Sequence, residues 1–173
     1  MSDLSWLDSD EQRVFRAFAR SSRALFVQFD RDLQREVGMP RTYFEILWLL
    51  HQAPGRALRM SDLAERTGSQ ASRITHAVGR LEQAGQVRRE LCREDRRGWF
   101  AVLTDEGLAT LADAAPRYAQ SIRDRFLAPL SAADREHVAR IGETLLARLD
   151  SPLGPDPALE PDILEPDPTL SPA

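Results

Sequence analysis

Between Ser69 and Arg97 the chain gathers side chains that donate hydrogen bonds and carry positive charge. Ser69, Gln70, Ser72, Arg73, His76 and Arg80 come first, and Asp95, Arg96 and Arg97 close the stretch. At 100° per residue Ser69, Arg73, His76 and Arg80 fall on one side of a helix, with Ile74, Ala77, Val78 and Leu81 on the other. One face can therefore pack while the other offers guanidinium forks, an imidazole and small polar groups, which match base edges in a major groove. The tip REDRRG adds Arg93, Arg96 and Arg97, suited to phosphates or a narrow minor groove. A lone Arg on a helix is ordinarily just solvated. Its repetition on two adjoining elements points to nucleic acid.

Other chemistries find no apparatus. The three histidines, His51, His76 and His137, are scattered, and there is no phosphate-binding loop, zinc-protease motif or nucleophile elbow. No catalytic residue and no cofactor are therefore expected. One cysteine, Cys92, excludes an internal disulfide framework, and no Cys/His cluster has zinc spacing, so no metal site is expected either. Two rival binding readings stay open: a thiol redox switch at Cys92, which has Arg89 and Arg93 as cationic neighbours in the sequence, and a protein-interaction module without DNA contact.

The elements that must hold these groups are a helix, a turn, a second helix and a hairpin. Ser61–Thr67 reads as a short helix stopped by Gly68, and Ser69 as the N-cap of a helix reaching about Ala84 before Gly85. The period then becomes two, with Val87, Arg89 and Leu91 opposing Arg88, Glu90 and Cys92, and Trp99–Leu103 returning. Leu58 and Arg59 offer a short third strand. Here the chain resembles the MarR family of winged helix-turn-helix regulators. The resemblance lies in T-x-x-x-x-R-L-E-x-x-G from Thr75 to Gly85, then V-x-R, then D-R-R-G-x-x-x-x-L-T from Asp95 to Thr104.

That resemblance implies a ligand-responsive repressor binding a pseudo-palindromic operator on double-stranded DNA as a homodimer. It also implies that Asp95 braces Arg97 for entry into a minor groove. His76 and Gly79 depart from the family's frequent Arg and Asp, which alters base preference and helix stiffness. The implied effector is a small aromatic acid held by Phe15, Phe44, Trp48, His51 and Tyr118. Among these, Phe44, Trp48 and His51 share one helical face by their spacing alone.

In chain order, Ser9 with Gln12 reads as a capping box opening a long first helix that ends at Gly38. Val14, Phe15, Phe18, Leu25, Phe26, Phe29 and Leu33 give it an apolar band wide enough for two partners. Thr42 with Glu45 reads as a second box, with Met39 as a staple, before the nearly all-apolar FEILWLL. Thr104 opens a helix to about Ala128, which Pro116 should kink or interrupt. Ser131 with Asp134 caps a final helix striped by Val138, Ile141, Leu145 and Leu149. That stripe could be buried within its own subunit, but the resemblance implies a dimer interface, so the expected fold is mainly α with a small antiparallel wing: six helices, dimerising through the N- and C-terminal ones, with Phe126, Leu130, Ile141, Leu145 and Leu149 in the interface.

Charge is unevenly spread. The net −4 divides into a tail, 151–173, with seven prolines, five acids and no base, and residues 1–150, where 23 Arg face 22 acids. Between Arg56 and Arg97 ten Arg face six acids, concentrating positive charge on the reading head. The domain is thus expected over 1–150, with a winged helix-turn-helix about 41–104 and dimerisation helices about 9–37 and 105–150, and the tail is expected to be disordered. No signal peptide or spanning helix is expected, so no membrane partner, and the cytoplasm is the expected compartment.

Overall fold

A computed structural model describes residues 6–92 and 98–149. Six α-helices and three strands follow in the order α1 (Ser9–Val37), α2 (Arg41–Gln52), β1 (Ala57–Arg59), α3 (Met60–Arg66), α4 (Ala71–Gln83), β2 (Val87–Leu91), β3 (Trp99–Leu103), α5 (Asp105–Ile122) and α6 (Ala132–Leu146). This is the winged helix-turn-helix arrangement. The strands form one antiparallel sheet in the order β1-β3-β2, so the third strand expected at Leu58 and Arg59 is present. Val87 pairs with Leu103 and Leu91 with Trp99, while Leu58 meets Ala101 across the other edge.

Helix α2 is central. It packs against α1, α4, α5, β1 and β3, and buries Phe44, Ile46, Leu47, Leu49 and Leu50. Around it close Leu33 of α1, Leu63 of α3, Ile74, Ala77, Val78 and Leu81 of α4, Ala101 and Leu103 of β3, and Leu111 and Ala114 of α5. Each large aliphatic side chain so buried contributes about 1.5–3 kcal/mol of transfer free energy. The reading helix thus rests on the best-packed part of the molecule.

Three of the expected helix starts lie elsewhere. The capping box of α1 is made by Asp8, not Ser9: its carboxylate accepts from the amides of Asp10 at 2.8 Å and Glu11 at 2.9 Å, and Glu11 accepts from the Asp8 amide at 2.9 Å. A charged acceptor one position earlier outcompetes a hydroxyl beside the positive helix end. Helix α2 starts at Arg41 behind Pro40, without a side-chain cap; its first amide donates to Asp30 of α1 at 2.8 Å, and Glu45 pairs with Arg41 at 3.0 Å. Thr42 is already helical there, so its box with Glu45 does not form. Met39 and Phe44 then stand at the two staple positions, and both are buried. Helix α4 has Gln70 at its cap, and the Ser69 hydroxyl turns back to the Thr67 carbonyl at 3.4 Å.

Elsewhere the starts and stops agree with the sequence reading. Thr104 accepts from the Gly107 amide at 3.0 Å, and Ser131 and Asp134 cap each other. Gly38, Gly68 and Gly85 end their helices with φ of 68°, 58° and 74°. Pro116 does not end α5, which runs on to Ile122. Both Pro116 and Ala112, whose carbonyl loses its donor, lie on the exposed side, where the loss of one helical bond is tolerated. The irregularity comes later, as a π-helical turn over Arg123–Leu127.

Candidate nucleic-acid interface

The polar face of α4 is held out by its apolar one. Ile74, Ala77, Val78 and Leu81 are buried, whereas Gln70, Ser72, Arg73, His76 and Arg80 are exposed and Ser69 is half-buried. Arg73, His76 and Arg80 form no ion pair with any described residue, so their donors remain available to a ligand. Gln70 gives α4 no side-chain cap, and an uncapped helix N-terminus attracts phosphate. Asp95, Arg96 and Arg97 lie outside the described residues.

A contact that the sequence reading did not anticipate joins this helix to the wing. Arg89 of β2 donates from Nε to Glu82 of α4 at 2.8 Å and lies 5.9 Å from the Trp99 ring centre. The hydrogen bond holds the Glu82 carboxyl below its ordinary value and raises Arg89, despite opposing desolvation. The pair sets the wing against the end of the reading helix. Between them opens a groove of about 360 Å³ bordered by Arg59, Ser61, Thr75, Arg89 and Trp99. Its residues come from five elements, so no single periodicity announces it.

Cys92 is 6% exposed, and among the described residues the cation that touches it is Arg59 of β1, donating to its sulfur at 3.4 Å. Arg93 lies outside the described residues. A buried thiol is ordinarily inert, since reactivity needs access as well as a cation.

The residues proposed to hold an effector are partly brought together. Phe44 stacks on Trp48 at 6.1 Å between ring centres, Tyr118 lies 4.7 Å from Phe44, and His51 lies 6.1 Å from Trp48. Burial pushes the Tyr118 hydroxyl up from its ordinary value. Phe15 does not belong to this cluster. The α1 aromatic touching Tyr118 is Phe29, at 6.0 Å, while Phe15, four helical turns earlier, is 56% exposed.

At the other end of the molecule, Ile141, Leu145 and Leu149 are exposed, and Phe126 and Leu130 are half-buried. Among the described residues no group of three or more His, Cys, Asp or Glu could hold a metal ion, and no helix is long and apolar enough to cross a membrane.

Comparisons with known proteins agree with this geometry. The profile of the MarR family matches residues 37–98. The transcriptional regulator HosA of Escherichia coli is 31% identical over 115 residues, covering 66% of this chain and 83% of HosA. PecS of Dickeya dadantii, an HTH-type transcriptional regulator, is 26% identical over 147 residues, 85% of this chain and 86% of PecS. Among solved structures, the MarR family regulator Sco3205 from Streptomyces coelicolor, in complex with DNA, superposes with a TM-score of 0.75 and 39% identity over 82% of this chain and 92% of its own. AbsC from the same organism gives 0.72 and 38%, over 83% and 99%.

Proposed function

Because the chain belongs to the MarR family of winged helix transcriptional regulators, DNA-binding proteins and not enzymes, we propose that it is a homodimeric repressor whose hold on a pseudo-palindromic operator is loosened by a small aromatic acid. The observation that carries the reading is the exposed face of α4 beside the wing, with Arg73, His76 and Arg80 projecting from a fully packed base. In this reading Ser69, Gln70, Ser72, Arg73, His76 and Arg80 meet bases in the major groove, Arg96 meets phosphate, and Asp95 braces Arg97 in the minor groove.

Uncovered apolar surface supports dimerisation. Val14, Phe15 and Phe18 of α1 and Val138, Ile141 and Leu145 of α6, with Leu149 just beyond it, are between 41% and 62% exposed in one chain. Such stripes call for a partner surface, and Phe126 and Leu130 would lie at its edge. Phe15 belongs to that interface and not to the effector site. The domain then comprises 1–150, with its reading head about 41–104.

The effector would act at the Phe44, Trp48, His51 and Tyr118 cluster, between the reading head and α5. A ligand that favours the arrangement unsuited to DNA lowers operator affinity by its differential affinity for the two states. Cys92 is buried under Arg59, so thiol switching is not adopted.

Selection of bound fragments from genomic DNA tests the reading. An inverted repeat with half-sites about 10 base pairs apart, centre to centre, is expected. Protection of one asymmetric half-site by a monomer would sink the dimer. An aromatic acid panel that neither raises Tm nor releases DNA would leave a constitutive regulator.

A further inference from the structure

Among the described residues Asp32 is the only charged side chain buried, at 2% exposure. Burial raises a carboxyl, yet this one is held below its ordinary value, because donors converge on it. Gln28 Nε2 donates to Oδ1 at 2.8 Å, and Arg35 pairs with the same oxygen at 3.2 Å. On Oδ2, the Ser121 hydroxyl donates at 2.9 Å and Arg125 Nε at 3.1 Å. Two of these donors are on α1 itself. The other two come from 89 and 93 residues away.

The place of this node in the fold gives it a task. Helix α1 buries only Phe29, Asp32 and Leu33, so its N-terminal half is largely uncovered and Asp32 lies in the segment that packs on the body. Arg125 lies in the π-helical turn from which the chain departs towards α6. Arg135 of α6 then donates to the Leu127 carbonyl of that turn at 3.1 and 2.8 Å. Of residues 131–149 all but Gly142 are exposed, so among the described residues little else holds the direction of α6. One carboxylate therefore ties the roots of both apolar arms to the body that carries the reading helix.

We infer that Asp32 is a positioning residue for DNA recognition: clamped by Ser121 and Arg125, it fixes the angle of the two dimer arms and so the half-site spacing that the dimer accepts. The inference rests on the homodimer proposed above. It needs no contact between Asp32 and DNA. Each added base pair turns the second half-site by about 34° around the duplex, so a small change in arm angle changes which spacing fits. Asp32→Asn keeps the shape of the side chain but removes the charge and points an amide at donors. Arg125→Gln removes the other partner at a half-exposed position, where the fold is expected to survive.

The test measures affinity for operators with the selected spacing, for the same operators shortened or lengthened by one base pair, and for DNA with a single half-site. Wild type is expected to prefer its own spacing by roughly tenfold or more. Both variants, or Arg125→Gln alone if Asp32→Asn does not fold, are expected to bind the single half-site within about twofold of wild type while their spacing preference falls by roughly threefold or more. Folded, dimeric variants that keep the wild-type preference would overturn the inference and leave the proposed function standing. A wild type indifferent to spacing would instead overturn the dimeric reading itself.

Discussion

Arg73 and Arg97 are expected to fail differently when truncated. Arg73 projects from a helix whose opposite face is fully buried, so Arg73→Ala should lose about 1–3 kcal/mol and relax the preference at one operator position. Arg97→Ala should weaken all sequences nearly equally. Binding measured against a set of single-base operator variants separates the two, and reversed patterns would reverse the assignment. Asp32 has a pH signature of its own. Its folded carboxyl lies below the ordinary 3.8, so its stabilisation is complete above that value and disappears as the pH falls through the folded one. The Tm difference between wild type and Asp32→Asn should therefore hold from neutrality down to about pH 5 and shrink in more acid solution. A constant difference down to pH 2 would deny the carboxylate this role. The polar face of α4 was legible in the sequence because its period is local. Asp32 was not, since its distant partners, Ser121 and Arg125, become neighbours only when α5 closes on α1.

Two glycines divide the helices into a tolerant and an intolerant class. At Gly79, in the middle of α4, an added Cβ would meet nothing within 4 Å, so Gly79→Ala should stabilise the reading helix by up to about 1 kcal/mol. At Gly107, in the first turn of α5, a Cβ would stand 2.0 Å from the Gln86 carbonyl oxygen and 2.7 Å from Leu103. Backbone cannot give way cheaply, so Gly107→Ala should destabilise by about 1–3 kcal/mol or more. Chemical denaturation of both variants checks the pair, and equal effects would contradict the packing. The sequence marked Gly79 as a departure from its family, but gave no sign of Gly107, whose neighbour lies across a tertiary contact. The same contrast runs through the caps. Thr104, Ser131 and Asp134 act locally and were legible, whereas the start of α2 depends on Asp30 of another helix.

At the scale of the whole molecule, the basic head and the uncovered arms make separate demands. A reading head that neutralises phosphates releases counterions, so operator affinity should fall steeply and linearly in log–log form as salt rises. A salt-insensitive affinity would mean that the arginines of α4 and the wing are not at DNA. The six-helix layout with a wing was legible from periodicity, because each element has its own pattern, while the groove beside Trp99 was not, being assembled from five elements. The exposed stripes on α1 and α6 carry one more consequence, which concerns abundance. If two chains must meet to cover them, heat resistance becomes a function of how much protein is present, and Tm should climb with concentration until dimers saturate. A Tm unchanged over a hundredfold dilution would show that a single chain needs no such cover. In a cell, chains made in small numbers would spend longer with greasy arms open to proteases and to one another. The regulator's own level would then set its lifetime, and a falling supply would clear it faster than dilution by growth alone.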